Sequence, residues 1–89
     1  MLFEWDENKR RANIDKHGFD FIDVVEVLDG EHVRVPSHDR GGESRWLAVG
    51  QIGGRFATVI YTMRGEAYRI ISVRRASHAE RRIHEDLHQ

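Results

Sequence analysis

The 89-residue sequence contains no cysteine, so neither a disulfide framework nor a thiolate metal site can be built from it. Proline occurs once, at Pro36, and lysine only twice, at Lys9 and Lys16. No apolar run approaches the roughly 18 residues that a membrane span needs. The opening stretch MLFEWDENKR lacks the apolar core of a secretory leader. These absences lead to the expectation of a soluble, cytoplasmic chain with no membrane contact. A chain of this size buries only about 60–65% of the surface it exposes when unfolded. That is enough for one sheet and a few helices, and the expectation is a single domain over residues 1–89.

Charge is present in quantity and unevenly placed. Net charge is −1, yet residues 1–44 hold 11 acids against 6 bases and residues 45–89 hold 4 against 8. Twelve of the 14 basic residues are arginine. Arginine offers a planar fork that matches phosphate oxygens two at a time, although GC-rich coding also enriches it.

The pattern along the chain is that of an α+β domain. Phe3 and Trp5 face one way in a short strand near 2–5. Asp6 is a fitting N-cap for a helix over 7–17, and Gly18 ends it. Phe21, Val24, Val25 and Leu28 form the apolar stripe of a second helix. HVRVP (32–36), stopped by its proline, belongs at a sheet edge, and SHDRGGES (37–44) reads as a polar loop. RWLAVGQI, Gly53-Gly54 and RFATVIYTM make a hairpin. A turn at Gly65-Glu66 leads to the strand YRIISVRR. Ser77 and Glu80 form a capping box for a last helix, with Ala79, Ile83 and Leu87 on one side. The expected fold is a small antiparallel sheet: a three-stranded meander over 45–75 plus short strands near 2–5 and 32–35. Two N-terminal helices and one C-terminal helix pack on it.

An uninterrupted register places Arg45, Thr62 and Arg69 in one row, with Arg75 at the far end of the same face. Trp46, Tyr61, Tyr68, Ser72 and Arg74 fall on the other. The arginines are expected to converge on one solvent-open patch beside the last helix, where helix amides also attract anions. Nearby aromatic rings suit unstacked RNA bases. The competing structural reading pairs Arg45 and Arg69 with carboxylates of the acidic first half, such as Asp23 or Glu26, as scaffold salt bridges. Lys16 and His17 suit the last turn of a helix on dipole grounds alone; the functional reading gives His17 a proton-transfer role. HEDLH (84–88) matches the zinc-protease pattern H-E-x-x-H; no third ligand is expected after it, an upstream ligand stays open, and the structural reading is chance histidines on a surface helix end. No metal site and no cofactor are expected.

FEWDENKRRANIDKHGFDF, RWLAVG and YRIISVRRASHAERR together resemble the BrnT family of type II toxins over Phe3 to about Arg82. Val73 stands where that family's pattern has a small residue. The resemblance implies a RelE-like fold and RNA cleavage that arrests translation. It also implies neutralisation by a BrnA-type antitoxin, in a hetero-oligomer that represses its own operon through the antitoxin's DNA-binding part. By position it points to Lys16, His17, Arg45, Arg69, Ser72, Arg74 and Arg75. The expected chemistry is metal-independent attack of a ribose 2′-OH on the adjacent phosphate. Arg69, Arg45, His17 and Arg74 are the candidate catalytic residues. Lys16, Tyr61, Tyr68, Ser72, Arg75 and Trp46 are the candidate RNA-binding residues. The alternative is a non-catalytic module whose basic face receives an acidic partner helix or RNA.

Overall fold

The computed structural model describes residues 1–37 and 41–88; part of the polar loop expected over 37–44 therefore lies outside the described residues. The chain runs β1 (Leu2–Glu4), α1 (Glu7–His17), a 3-10 turn (Phe21–Asp23), α2 (Val24–Leu28), β2 (Val33–Pro36), β3 (Trp46–Ile52), β4 (Arg55–Arg64), β5 (Ala67–Arg75) and α3 (His78–Leu87). Five strands form one sheet in the order β1-β5-β4-β3-β2. No described helix is long and apolar enough to cross a membrane.

The expected all-antiparallel sheet is corrected here. β2 through β5 form an antiparallel meander, but β1 joins β5 in parallel, with Leu2 opposite Ala67 and Glu4 opposite Arg69. The crossover that parallel pairing requires is supplied by everything between the two strands, so no local signal announces it.

Local chemistry sets the element ends. The Asp6 carboxylate accepts from the amides of Asn8 and Lys9, and Gly18 closes α1 at φ 73°. Gly53 and Gly54 both have positive φ, as the tight hairpin turn with Ile52 opposite Arg55 demands. Ser77 and Glu80 make the expected reciprocal capping box.

One sheet face carries Ala48, Ile52, Ala57, Val59, Tyr61, Ile70 and Val73 into a core closed by Phe19, Phe21, Val24, Val27 and Leu28. On the other face α3 packs through Glu80 and His84: Glu80 meets Thr58, and the His84 ring meets Phe56. The apolar side of α3 turns outward, with Ile83 41% and Leu87 67% exposed.

β1 covers β5 only as far as Arg69. Beyond it, α1 seals the strand with one side chain. Asn13 donates to the Val73 and Phe19 carbonyls, both at 2.8 Å, and accepts the Val73 amide at 3.1 Å. A buried backbone edge must find partners, and Asn13 supplies those of Val73.

Candidate functional site

The structure distributes the sequence-predicted residues over several places. Thr62 lies opposite Arg69, and Arg45 adjoins the Trp46–Tyr61 pair that precedes it in register. The Thr62–Arg69 pair therefore forms as expected, and Arg45 stands one residue before the paired part of β3. Both guanidiniums are about a quarter exposed and keep loose carboxylate partners, Glu43 at 4.0 Å and Glu4 at 3.7 Å. Both partners belong to the acidic first half, as the structural reading expects, although they are not its examples Asp23 and Glu26. The Arg45 Nε is buried without a hydrogen-bond partner among the described residues.

The rest of the expected patch does not assemble as drawn. A β-bulge at Ile60/Tyr61 shifts the β4–β5 register by one, so that Ile60 faces Ser72, Thr58 faces Arg74 and Ala57 faces Arg75. Val73 and Arg75 turn to the Tyr61 face, and Arg74 turns to the face of Arg69. A bulge of this kind re-aims every side chain after it, and the sequence carries no residue that marks it. Arg74 is then held by Glu80 through two hydrogen bonds, at 2.8 and 2.9 Å. This pair clamps α3 to the sheet, and it draws the Glu80 carboxyl down to about 2, with help from the Ser77 amide and the Thr58 hydroxyl.

The aromatic residues also sit differently from the base-stacking expectation. Tyr61 is 2% exposed, which leaves no ring face for a base, and burial pushes its phenol up. Its ring packs 5.3 Å from that of Tyr68, which in turn touches Phe3. Tyr68 is half-buried. Trp46 is covered by the Arg34 guanidinium at 4.4 Å. All three lie on the face opposite Arg45 and Arg69.

Three predicted residues do come together. Lys9, Ala12, Asn13 and Lys16 recur at helical spacing along α1, and with His17, Ile71 and Ser72 they line a groove of about 170 Å³ at the uncovered edge of β5. The Ser72 hydroxyl donates to the Asn13 side-chain oxygen at 3.2 Å. The lining holds two ammonium groups and one imidazole, and no carboxylate. Lys9 completes the set; its signal in the sequence was the seven-residue spacing to Lys16.

A larger cavity, about 570 Å³, lies elsewhere, against residues 41–46 and 62–64. Its charged lining is mixed, Glu43 with Arg64. His84 of the HEDLH stretch is 6% exposed. Its Nε2 lies 3.3 Å from the Glu31 carbonyl, and its ring touches Phe56 and His88. Among the described residues no three His, Cys, Asp or Glu side chains are grouped to hold a metal.

A family profile described as "Ribonuclease toxin, BrnT, of type II toxin-antitoxin system" matches residues 5–80. The crystal structure of the Brucella abortus ribonuclease toxin BrnT superposes with a TM-score of 0.70 at 35% identity, over 86% of this chain and 99% of that one. No individually curated protein matches. The family type carries with it an antitoxin partner. With the profile spanning nearly the whole sheet and the fold shared, this chain belongs to the BrnT family of ribonuclease toxins of type II toxin–antitoxin systems.

Proposed function

We propose that this chain is a metal-independent endoribonuclease that cleaves RNA by 2′-OH attack, and that the groove between α1 and β5 holds the reacting phosphate. The observation that supports this reading is the lining of that groove: Lys9, Lys16, His17 and Ser72 together, without a carboxylate. Attack by a ribose hydroxyl needs a proton acceptor and cations on the non-bridging oxygens as charge builds. His17 accepts the 2′-hydroxyl proton in this scheme, and the 2′-oxygen bonds to phosphorus as the P–O5′ bond breaks. That leaves a 2′,3′-cyclic phosphate and a 5′-oxygen that takes its proton from the imidazolium or water, while the two ammonium groups stabilise the pentacoordinate phosphate. Because the Ser72 proton is committed to Asn13, its oxygen offers lone pairs to a hydroxyl or amide of the nucleotide. Arg69 and Arg45, on the open sheet face, extend contact to the flanking backbone, whereas Tyr68 and Trp46 pack against the core on the opposite face and are assigned to the scaffold. Arg74 is assigned to the scaffold, since its guanidinium is already occupied by Glu80.

The proposal places the protein in the cytoplasm, neutralised by a BrnA-type antitoxin in a complex that represses its own operon. The fold is assigned to the RelE-like group on the same footing. The direct test is cleavage of labelled RNA by His17→Ala. The expected loss is on the order of 10²–10³ in rate, the usual effect of removing one proton-transfer or charge-stabilising group. Full activity in His17→Ala removes the groove from the mechanism. Arg69→Ala is expected to fold and to lose cleavage and growth inhibition.

The second reading, a non-catalytic module for an acidic partner helix, draws on Leu47 and Ile60. Both are half-exposed on the face that carries Arg45 and Arg69. Tight binding of such a helix by a protein that leaves RNA intact would favour it.

A further inference from the structure

We propose that the cavity at the Gly53-Gly54 end of the sheet is a second anion site, which takes a phosphodiester of the same RNA strand; this rests on the ribonuclease reading above. The cavity measures about 410 Å³, and its lining is Gly54, Arg55, Phe56, Arg75, Ala76 and Arg81. Half of that lining is arginine and none of it is acidic. Its volume falls within the range of small-ligand sites.

The convergence has a structural cause. Arg55 opens β4, and Arg75 pairs with Ala57 two residues further on, so both side chains share one face. The bulge at Ile60/Tyr61 is what turns Arg75 to that face. Arg81 comes in from the first turns of α3. Neither Arg55 nor Arg81 is positioned mainly by a carboxylate. Arg55 lies 4.2 Å over the Phe19 ring, and Arg81 lies 4.6 Å over the Phe56 ring. A guanidinium seated on an aromatic face keeps its N–H groups for an in-plane ligand. Arg81 has a further partner in Glu85 at 3.6 Å, but both side chains are about half exposed, and such pairs contribute little. Arg75 is exposed and forms no ion pair among the described residues. Three like charges around one cavity repel each other, and an entering anion converts that repulsion into binding.

The choice of a nucleic-acid phosphate over an acidic peptide follows from continuity with the groove. Arg55 donates to the Gly18 carbonyl at 3.3 Å, one residue from His17. Ser72 in the groove and Arg75 in the cavity stand three residues apart on β5, about 10 Å along the strand. Groove and cavity are thus neighbouring stations without a carboxylate in either lining. A backbone with one charge per nucleotide fits two such stations in series.

The experiment uses the whole protein and a 2′-O-methyl single-stranded oligonucleotide for binding, with the cleavable RNA of the same sequence for kinetics. Two variants are compared with the parent: Arg75→Glu, and the triple R55Q/R75Q/R81Q. Each lost phosphate contact lowers the slope of log K against log salt by about 0.7 for a single strand. The triple variant is therefore expected to lose about 2 from that slope, and its KM for RNA to rise several-fold while kcat moves less. Arg75→Glu changes an exposed side chain that forms no ion pair among the described residues, so it decides the question alone if the triple variant does not fold. Parent-like salt slope and KM in Arg75→Glu overturn the site. Retained RNA binding with lost affinity for a Glu-rich peptide also overturns it, in favour of a protein ligand. Cleavage surviving in His17→Ala is a separate result, which removes the groove and leaves the salt slope to judge the cavity.

Discussion

Arg74 and Glu80 show how one residue's partner decides its work. The pair is bidentate, and Glu80 also accepts from the Ser77 amide and the Thr58 hydroxyl. With 14% of its side chain exposed, Glu80 is an ionised group held deep against the sheet. Its carboxyl falls from 4.5 to about 2 on folding. A folded-state value below the unfolded one stabilises the protein above about pH 4.5, and that contribution disappears as pH falls toward 2. The size is on the order of 2–3 kcal/mol. Urea unfolding at pH 7, 4 and 2.5 is the measurement. The parent is expected to lose stability steeply across that interval. Glu80→Gln is expected to be less stable at pH 7 and to show a flatter acid limb. An equal acid slope in both proteins would detach Glu80 from it. Arg74 itself was legible as an arginine at a strand end, whereas its engagement was not, because the carboxylate that binds it was read only as a capping residue.

At the scale of elements, the lateral seal of β5 depends on α1. Asn13 meets the amide and carbonyl of Val73, the carbonyl of Phe19 and the hydroxyl of Ser72. Asn13→Leu keeps the shape and removes every one of these bonds, leaving buried backbone groups unpaired at about 1–3 kcal/mol each. A drop in Tm of at least about 10 °C is expected for a domain of this size, read by thermal circular dichroism. A shift of only a few degrees would mean that water replaces the side chain. Helix and strand limits were largely readable, since Asp6, Gly18, Gly53-Gly54, Gly65 and Ser77 each force a start, a stop or a turn by local chemistry. What packs against what was less so. Ala79, Ile83 and Leu87 mark one side of α3 as apolar, yet the sheet receives Glu80 and His84. Two polar side chains with specific partners, Arg74, Thr58 and the Glu31 carbonyl, outweigh an apolar stripe. Ser77→Ala should cost about 1 kcal/mol, the ordinary value of an N-cap, measurable as a shift in urea midpoint.

For the molecule as a whole, the sheet order decides which cations can cooperate. The meander over β3–β5 was contained in the turn residues, and with it the pairing of Thr62 with Arg69. Parallel docking of β1 and the bulge in β5 arise from long-range pairing, and the bulge exchanges Arg74 and Arg75 between the two faces. His84 belongs to the same scale, because the fold fixes its fate more than its motif does. Its burial beneath Phe56 and the Glu31 carbonyl makes the HEDLH stretch a packing element of α3, and the groove on the far edge of the sheet contains one histidine and no acid. RNA cleavage is therefore expected to proceed at the same rate with millimolar EDTA as without it, and added zinc should not accelerate it. His84→Gln should lower thermal stability by withdrawing the ring from Phe56, without changing that response to chelator. The measurement is initial cleavage rate of one labelled RNA by both proteins, with and without EDTA, at a temperature where both are folded. A rate that collapses in EDTA for the parent and is already absent in His84→Gln would transfer the chemistry to α3, and the α1 groove would then be left as a binding surface only.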